Sequence, residues 1–234
     1  MPVFIGTSGW SFKEWKGSFY PKDLPDDGML GYYAERFPTV EINNTFYRMP
    51  RESVLHDWAS KVPATFRFAI KASQRITHHG RLMPEVADSL AYFTRVTNEL
   101  GERRGPTLFQ LPPNFKKDLP RLVEFLALLP RRWQAAFEFR HASWFEDDVY
   151  AALREKEAAL VIADHDDFQT PVLATAPWGY ARLHRARYPA AELDRWSGAL
   201  AGLGVGELYV FFKHDEAEGS GPEGAQDFLR RLSR

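Results

Sequence analysis

The sequence predicts an α/β protein, a TIM-type (β/α)8 barrel of parallel strands that forms a single domain over residues 1–234. Eight short apolar segments alternate with helical patterns, as in a parallel sheet covered by helices. The fifth segment runs directly into a predicted helix start, which parallel connections require. The chain of 234 residues is slightly shorter than the roughly 250 residues of such barrels. An open doubly wound sheet is the alternative, but its Gly-x-Gly-x-x-Gly turn is missing.

The predicted strands are short runs that end in turn or polar signals. In chain order they cover residues 3–7, 39–43, 66–71, 107–111, 135–140, 159–164, 179–184 and 207–212. Most are apolar on both faces, which is typical of strands buried in a barrel.

The predicted helices are recognised from apolar residues at helical spacing. One helix is predicted directly after the fifth strand. The apolar stripes of the others, in order, are Leu30, Tyr33 and Phe37; Val54, Leu55, Trp58 and Val62; Val86, Leu90, Phe93 and Leu100; Leu119, Leu122, Val123, Leu126 and Leu129; Leu193, Trp196 and Leu200; and Phe228, Leu229 and Leu232. The connection 165–177 contains two prolines and no helical pattern, so helix six is predicted to be weak or missing.

Residues 135–144 indicate where a functional site lies. Glu138 and Arg140 share one face of the fifth strand. Ser143 and Glu146 have the spacing of a capping box, so a helix is predicted to begin directly after the strand. Both faces of such a strand are buried, and buried charge is costly unless it is paired or functional.

The same two-residue period predicts polar side chains that point inward at the carboxyl ends of most strands. The predicted ligand-binding set is Thr7, Trp10, Asn43, Lys71, Gln110, Arg140, Asp164, Arg182, His184 and Lys213, with Glu41 and Glu138 as the catalytic pair. Active sites of these barrels lie at this end. The competing interpretation is a structural network in which the charges only neutralise one another, but such networks give little net stability.

Composition limits the compartment and the chemistry. The chain has no cysteine, so disulfides and thiolate metal sites are excluded. No signal peptide and no apolar stretch of about eighteen residues is visible, so we expect a cytoplasmic protein without membrane contact. The net charge is −1, so bulk charge does not predict a polyanion ligand.

Several long motifs resemble those of the YecE-like family, also catalogued as domain of unknown function number seventy-two. They are Gly6-Thr7-Ser8-Gly9-Trp10, Phe19-Tyr20-Pro21, residues 40–47, Gln110-Leu111-Pro112-Pro113, residues 138–144 and residues 180–184. The resemblance covers nearly the whole chain and implies a TIM-type barrel without an established activity, substrate or cofactor. Many members carry Phe-Asn-Asn at the end of strand eight, where this chain has Phe212, Lys213 and His214.

Three functional hypotheses remain open. The favoured one is a hydrolase or lyase for a small anionic ligand that bears phosphate or sugar, with Glu41 and Glu138 as acid and base and with Lys71, Arg140 and Arg182 holding the anion. No organic cofactor motif is present. Oligomeric state is left open.

The second hypothesis is a nucleic-acid binder or metal-dependent phosphoesterase with Glu41, Glu138, Asp164 and His184 as ligands of a divalent metal. Metal has weak support because no His-x-His or His-x-x-x-His pair occurs. The rim lysines Lys13, Lys16, Lys116 and Lys117 would contact nucleic acid. The third is a non-catalytic barrel that binds a regulatory ligand or partner. The aromatic loop 10–20 is expected to cover part of the mouth.

Overall fold

The computed structural model describes residues 1–213 and 220–232, so His214 lies outside the described residues. Eight parallel strands form one sheet in the order β1-β8-β7-β6-β5-β4-β3-β2. The strands are β1 Val3–Thr7, β2 Thr39–Ile42, β3 Arg67–Lys71, β4 Arg104–Gln110, β5 Ala135–Glu138, β6 Ala159–Asp164, β7 Trp178–Leu183 and β8 Glu207–Phe212. The predicted TIM-type barrel is confirmed.

Seven α-helices surround the sheet in the described part of the chain. They are α1 Met29–Ala34, α2 Glu52–Ser60, α3 Ala87–Thr97, α4 Leu119–Leu128, α5 Asp147–Glu155, α6 Ala190–Ala201 and α7 Ser220–Leu232. Their apolar stripes pack on the outer face of the sheet in one continuous core that includes Leu55, Phe93, Leu122 and Trp196. This packing stabilises each helix because isolated helices of this length are marginal in water.

A second, smaller apolar cluster fills the inside of the barrel. It combines small residues such as Ala69, Ala136 and Ala163 with the large rings of Tyr180 and Tyr209. Large and small side chains alternate so that the interior is filled. This packed layer lies below the strand ends and forms the floor of the mouth.

The barrel closes between β1 and β2 through a tyrosine hydroxyl rather than a continuous ladder. The Tyr33 hydroxyl accepts the backbone N–H of Thr7 at 2.8 Å and donates to the carbonyl of Thr39 at 3.1 Å. Gly6 permits this approach, since a Cβ there would lie 2.1 Å from the Thr39 carbonyl oxygen. One bridge, between Ser8 and Glu41, joins the two strands above the tyrosine.

Two connections bear on the sequence predictions. No helix forms between β6 and β7, as expected for a segment with two prolines; the hydroxyls of Thr170 and Thr175 instead bond to the backbone of β6 and of the residue before it. The predicted capping box at Ser143 is wrong. The Ser143 hydroxyl accepts the backbone N–H of Lys117 at 2.8 Å, and α5 begins only at Asp147, after a short 3-10 turn.

No helix in residues 1–213 or 220–232 is both long enough and apolar enough to cross a membrane.

We expect Tyr33→Phe to destabilise the barrel by about 1–3 kcal/mol, because it removes one donor and one acceptor from a buried seam. Urea unfolding provides the measurement. Tyr32→Phe is the matched control, since Tyr32 lies on the same helix and is only partly buried. Equal stability of the two variants would contradict the bridging role.

Candidate functional site

The inward side chains at the carboxyl ends of the strands meet in one polar cluster above the apolar floor. Its members are Ser8, Glu41, Asn43, Lys71, Gln110, Glu138, Arg140, Arg182 and His184. The two-residue period therefore placed most of the predicted residues correctly in space. Their functional roles remain predictions.

Arg182 occupies the centre of this cluster and is almost completely buried. Its Nε and Nη2 donate to the two carboxylate oxygens of Glu41 at 3.0 and 2.9 Å. Its Nη1 donates to Glu138 Oε2 at 2.5 Å. One guanidinium from β7 thus joins carboxylates from β2 and β5, and the planar fork of arginine makes this double contact possible.

Glu41 has little hydrogen-bonding capacity left for a substrate. Besides Arg182, its Oε1 accepts from the Ser8 hydroxyl at 2.7 Å and from Asn43 Nδ2 at 2.9 Å. Its Oε2 accepts from the Tyr180 hydroxyl at 2.7 Å. Five donors therefore surround one fully buried carboxylate, which is the arrangement that keeps such a group ionised.

Glu138 connects the central ion pairs to the ligand-facing side of the mouth. Its Oε1 accepts from Arg140 Nε at 2.8 Å and from Gln110 Nε2 at 2.9 Å. The other end of the Gln110 amide accepts a hydrogen bond from Lys71 Nζ at 2.8 Å. The orientation of Gln110 is therefore set by the carboxylate on one side and the ammonium on the other.

The Ser8 and His184 pair is not arranged as a nucleophile with its base. The single Ser8 hydrogen is donated to Glu41, so His184 Nε2, at 3.0 Å from the Ser8 oxygen, must supply the hydrogen of that second bond. A general base would need the opposite direction. His184 lines the cavity, so the imidazole can instead position a ligand there.

The two carboxylates have lowered pKa values despite their burial. Burial alone raises the pKa of Glu41, but the positive charge of Arg182 and the donated hydrogen bonds outweigh it. Burial also raises the pKa of Glu138, but the charge of Arg182, followed by the nearby His165 and Arg140, brings it well below the usual value. Both groups are therefore ionised at neutral pH and poorly suited to act as a general acid.

Burial has the opposite effect on the bases of the cluster. It lowers the pKa of Lys71 to about 8, with a further lowering by the charge of Arg182. Burial and the same arginine keep the pKa of His184 well below its usual range, so the imidazole is neutral at pH 7. Lys71 is thus the cluster member whose charge changes near neutral pH.

A cavity of ≈ 680 Å³ opens above this cluster. Its polar and charged lining includes Ser8, Asn43, Lys71, Arg182, His184 and Lys213, and its aromatic lining includes Trp10, Phe12, Tyr47 and Trp58. No Asp or Glu lines this cavity within the described ranges 1–213 and 220–232. The volume is in the range of small-molecule sites.

The aromatic loop after β1 contributes only its first part to the cavity. Trp10 and Phe12 line it, and the Trp10 ring packs edge-on against Trp58 at 5.0 Å. Trp15 is fully buried, and Phe19 packs against α1 through Tyr32. The distal half of the loop is therefore core rather than a cover of the mouth.

Two residues of the predicted set point away from the polar cluster of the mouth. Asp164 points outward, where it accepts from Trp196 Nε1 on α6 at 3.1 Å and pairs with Arg185 at 2.9 Å. The Thr7 hydroxyl likewise turns away and donates to the carbonyl of Gly9 at 2.7 Å. The inward placement of both was wrong because β1 and β6 are apolar on both faces, which leaves no alternation to set their phase.

Three inward residues were missing from the predicted set. Tyr180 lies two positions before Arg182 and could have been found by the same period. His165 extends from β6 toward Glu138, with Nε2 at 3.7 Å from Oε1 and no hydrogen-bond partner in the described part of the chain. Ser8 lies one residue beyond β1 and contacts Glu41.

The arrangement gives little support to the predicted metal set. Among residues 1–213 and 220–232, no group of three or more His, Cys, Asp or Glu side chains is placed to hold a metal ion. The carboxylate oxygens of Glu41 and Glu138 accept hydrogen bonds from arginine, amide and hydroxyl donors, and Asp164 faces the helices.

We expect Arg182→Ala to cost about 3–5 kcal/mol of unfolding free energy, because two buried carboxylates lose their common partner. Urea unfolding measures this loss. Arg195→Ala is the control: Arg195 forms an exposed pair with Glu192 at 3.0 Å, and its loss is expected to cost about 0–1 kcal/mol. Similar losses in both variants would contradict the central role of Arg182.

Acidification should destabilise the protein in two stages. The unfolded chain protonates histidine near pH 6.5 while His184 stays neutral, so stability falls from about pH 6.5 downward. The stabilisation from Glu41 and Glu138 is complete above about pH 4.5 and is lost as pH falls through their lower folded values. Unfolding free energies measured at pH 7, 5.5 and 4 test this; a flat profile would contradict it.

Comparison with known proteins places the chain in a family. Residues 4–234 match the family described as "Protein of unknown function DUF72". The chain is 29% identical over 181 residues to the UPF0759 protein YecE of Escherichia coli K12, covering 75% of this chain and 62% of that protein. It is 30% identical over 157 residues to the UPF0759 protein YunF of Bacillus subtilis, covering 63% of this chain and 54% of that protein.

The chain thus spans less than two thirds of the length of both relatives. A crystal structure of a DUF72 family protein from Thermotoga maritima superimposes with a TM-score of 0.87 at 30% identity, covering 100% of both chains. This chain therefore belongs to the DUF72 family, as the YecE-like motifs of its sequence predicted.

Proposed function

We propose that the mouth of the barrel binds a small anionic ligand that carries a phosphate or carboxylate group. One observation carries this proposal: every charged residue that lines the cavity, within the described part of the chain, is basic. These residues are Lys71, Arg182 and Lys213. An anion in the cavity would therefore meet cations without a facing carboxylate.

The cations differ in what they offer a ligand. The charge of Arg182 is neutralised by Glu41 and Glu138, so its main role is to hold the barrel together. In the described part of the chain, the Lys71 ammonium contacts the neutral oxygen of Gln110 and the face of Phe46, with Nζ 4.3 Å from the ring centroid. Lys213 is exposed at the rim of the cavity. Lys71 and Lys213 are therefore the principal anion contacts.

The aromatic lining suggests a ligand with an apolar or ring-shaped part. Trp10, Phe12, Tyr47 and Trp58 border the same cavity, and Tyr47 is 75% exposed. Sugar rings and planar groups pack favourably against such surfaces. A phosphorylated sugar combines both features.

Nucleic acid is less well supported because several rim lysines are already paired. Lys13 and Lys16 contact Asp26 at 3.2 and 2.8 Å. Lys117 contacts Glu146 and Asp148 at 2.5 and 2.6 Å. A phosphate backbone would have to displace these carboxylates.

Acid–base catalysis by Glu41 and Glu138 remains a prediction, but the geometry supports it poorly. Both carboxylates are fully buried, bonded to arginine and ionised at neutral pH. Hydrolysis that needs a carboxylic acid would require one of them to be protonated.

Binding is tested by thermal shift with glucose 1-phosphate and its neutral counterpart methyl glucoside. A ligand at a hundred times its Kd stabilises by about 2.7 kcal/mol, which corresponds to a Tm rise of roughly 5–10 °C. Stabilisation by the phosphate alone supports the proposal. Equal stabilisation by glucose 1-phosphate and methyl glucoside would overturn the proposal. So would the absence of stabilisation by both glucose 1-phosphate and inorganic phosphate.

Substitution separates the cavity cations from the rim. We expect Lys71→Gln to weaken anion binding about ten- to a hundredfold, because one charge-assisted contact is worth roughly 1.5–3 kcal/mol. The combined replacement of Lys13, Lys16, Lys116 and Lys117 by Gln should leave binding within about twofold. Titration calorimetry at low and high salt is the measurement. Loss confined to the quadruple variant, with a steep salt dependence, would favour nucleic acid instead.

A further inference from the structure

Lys71 differs from Arg140 and Arg182 in that no carboxylate among the described residues contacts its ammonium. It ends β3 on the inner face, and its carbonyl accepts from the Thr45 hydroxyl at 2.7 Å. Within residues 1–213 and 220–232, its Nζ has one hydrogen-bond partner, the amide oxygen of Gln110 at 2.8 Å. The ammonium is thus held in place by a neutral group on a rigid strand.

Gln110 is held by Glu138 as well as by Lys71. Its amide nitrogen donates to Glu138 Oε1 at 2.9 Å, so its oxygen must face Lys71. Phe46 covers another side of the amine at 4.3 Å. The remaining side faces the cavity, which Lys71 lines. A reacting group in the cavity would therefore approach an amine of fixed position.

Burial and the neighbouring arginines also favour the neutral amine. They lower the pKa of Lys71 to about 8, whereas an unperturbed lysine titrates near 10.4. At pH 7 the neutral fraction then rises on the order of a hundredfold. A desolvated lysine beside another cation is a recognised way to activate an amine nucleophile.

We propose that Lys71 is a nucleophile that forms an imine with a carbonyl-bearing anion bound in the cavity, an inference that rests on the proposed anion site. The anionic group is held by the cavity cations, and the carbonyl carbon lies toward Lys71. An α-keto acid or an aldehyde phosphate has this chemistry.

The covalent step balances without a further reactant. The amine nitrogen donates its lone pair to the carbonyl carbon, the carbon–oxygen π bond breaks, and the oxygen takes up a proton. The carbinolamine then loses water, so ammonium and carbonyl together give a protonated imine and one water. The protonated imine withdraws electrons from the adjacent bond, which is the chemistry of a lyase that breaks a carbon–carbon or carbon–oxygen bond.

Other groups of the mouth lack this capacity. Arg182 is buried between two carboxylates, and the Ser8 hydrogen is engaged by Glu41. Lys213 lines the same cavity but is exposed to water. It therefore serves as the internal control for a lysine that shares the ligand without the buried setting.

The experiment is reductive trapping at pH 7. The full chain is incubated separately with pyruvate and with glyoxylate in the presence of cyanoborohydride, and modified lysines are identified by peptide mass mapping. Hydride from the reagent reduces the imine to a stable secondary amine. We expect Lys71 to be modified on the order of a hundredfold faster than Lys213 and than Lys22, an exposed lysine outside the cavity, in the same sample. Lys71→Arg should abolish this fast modification, whereas Lys22→Arg, outside the cavity, should not.

Lactate separates the inference from the anion site on which it rests, because it has the charge and size of pyruvate but no ketone. If lactate and glucose 1-phosphate bind, as measured by thermal shift, while Lys71 is trapped no faster than Lys213, the imine is overturned and the anion site stands. If no anion binds and Lys71 is not trapped, both fail. Fast trapping that is confined to Lys71 and is inhibited by lactate supports both.

Discussion

The two ion pairs of Arg182 with Glu41 and Glu138 are the constraint on which the mouth of this barrel depends. They connect β2, β5 and β7, which lie on different sides of the barrel, through one guanidinium. Each of the three charges would be costly in this buried position without the others. The network therefore sets the positions of Gln110 and Arg140, which bond to Glu138, and of Ser8, which bonds to Glu41.

This constraint divides the polar residues of the mouth into two groups. The buried carboxylates of Glu41 and Glu138 and the guanidinium of Arg182 neutralise one another, so these charges stabilise the barrel rather than a ligand. Lys71, His184 and Lys213 lie on the cavity side of that network and have capacity for a ligand. Arg182 keeps both carboxylates ionised despite their burial, whereas burial and the charge of Arg182 together make Lys71 easier to deprotonate. One environment thus produces a charged framework and a reactive amine.

The comparisons with relatives cover different parts of this chain. The relatives YecE and YunF are longer than the region they share with this chain. Those alignments cover 75% and 63% of this chain, whereas the Thermotoga maritima structure covers all of it. Directly after β8, Lys213 adds a cation to the lining of the cavity.

The sequence by itself determined the eight alternating units, the missing helix between β6 and β7, and the inward faces of the strands with charged residues. Glu138 and Arg140 set the phase of β5 because only alternate positions share a face. Tertiary structure alone decided the phases of β1 and β6. These phases turned Thr7 and Asp164 away from the polar cluster, and they brought Ser8 to Glu41 and His165 toward Glu138. It also decided which charges are neutralised and which meet a ligand. Residues that bond to each other, such as Arg182 and Glu41, lie 141 positions apart in the sequence. A local sequence pattern does not identify such a distant partner.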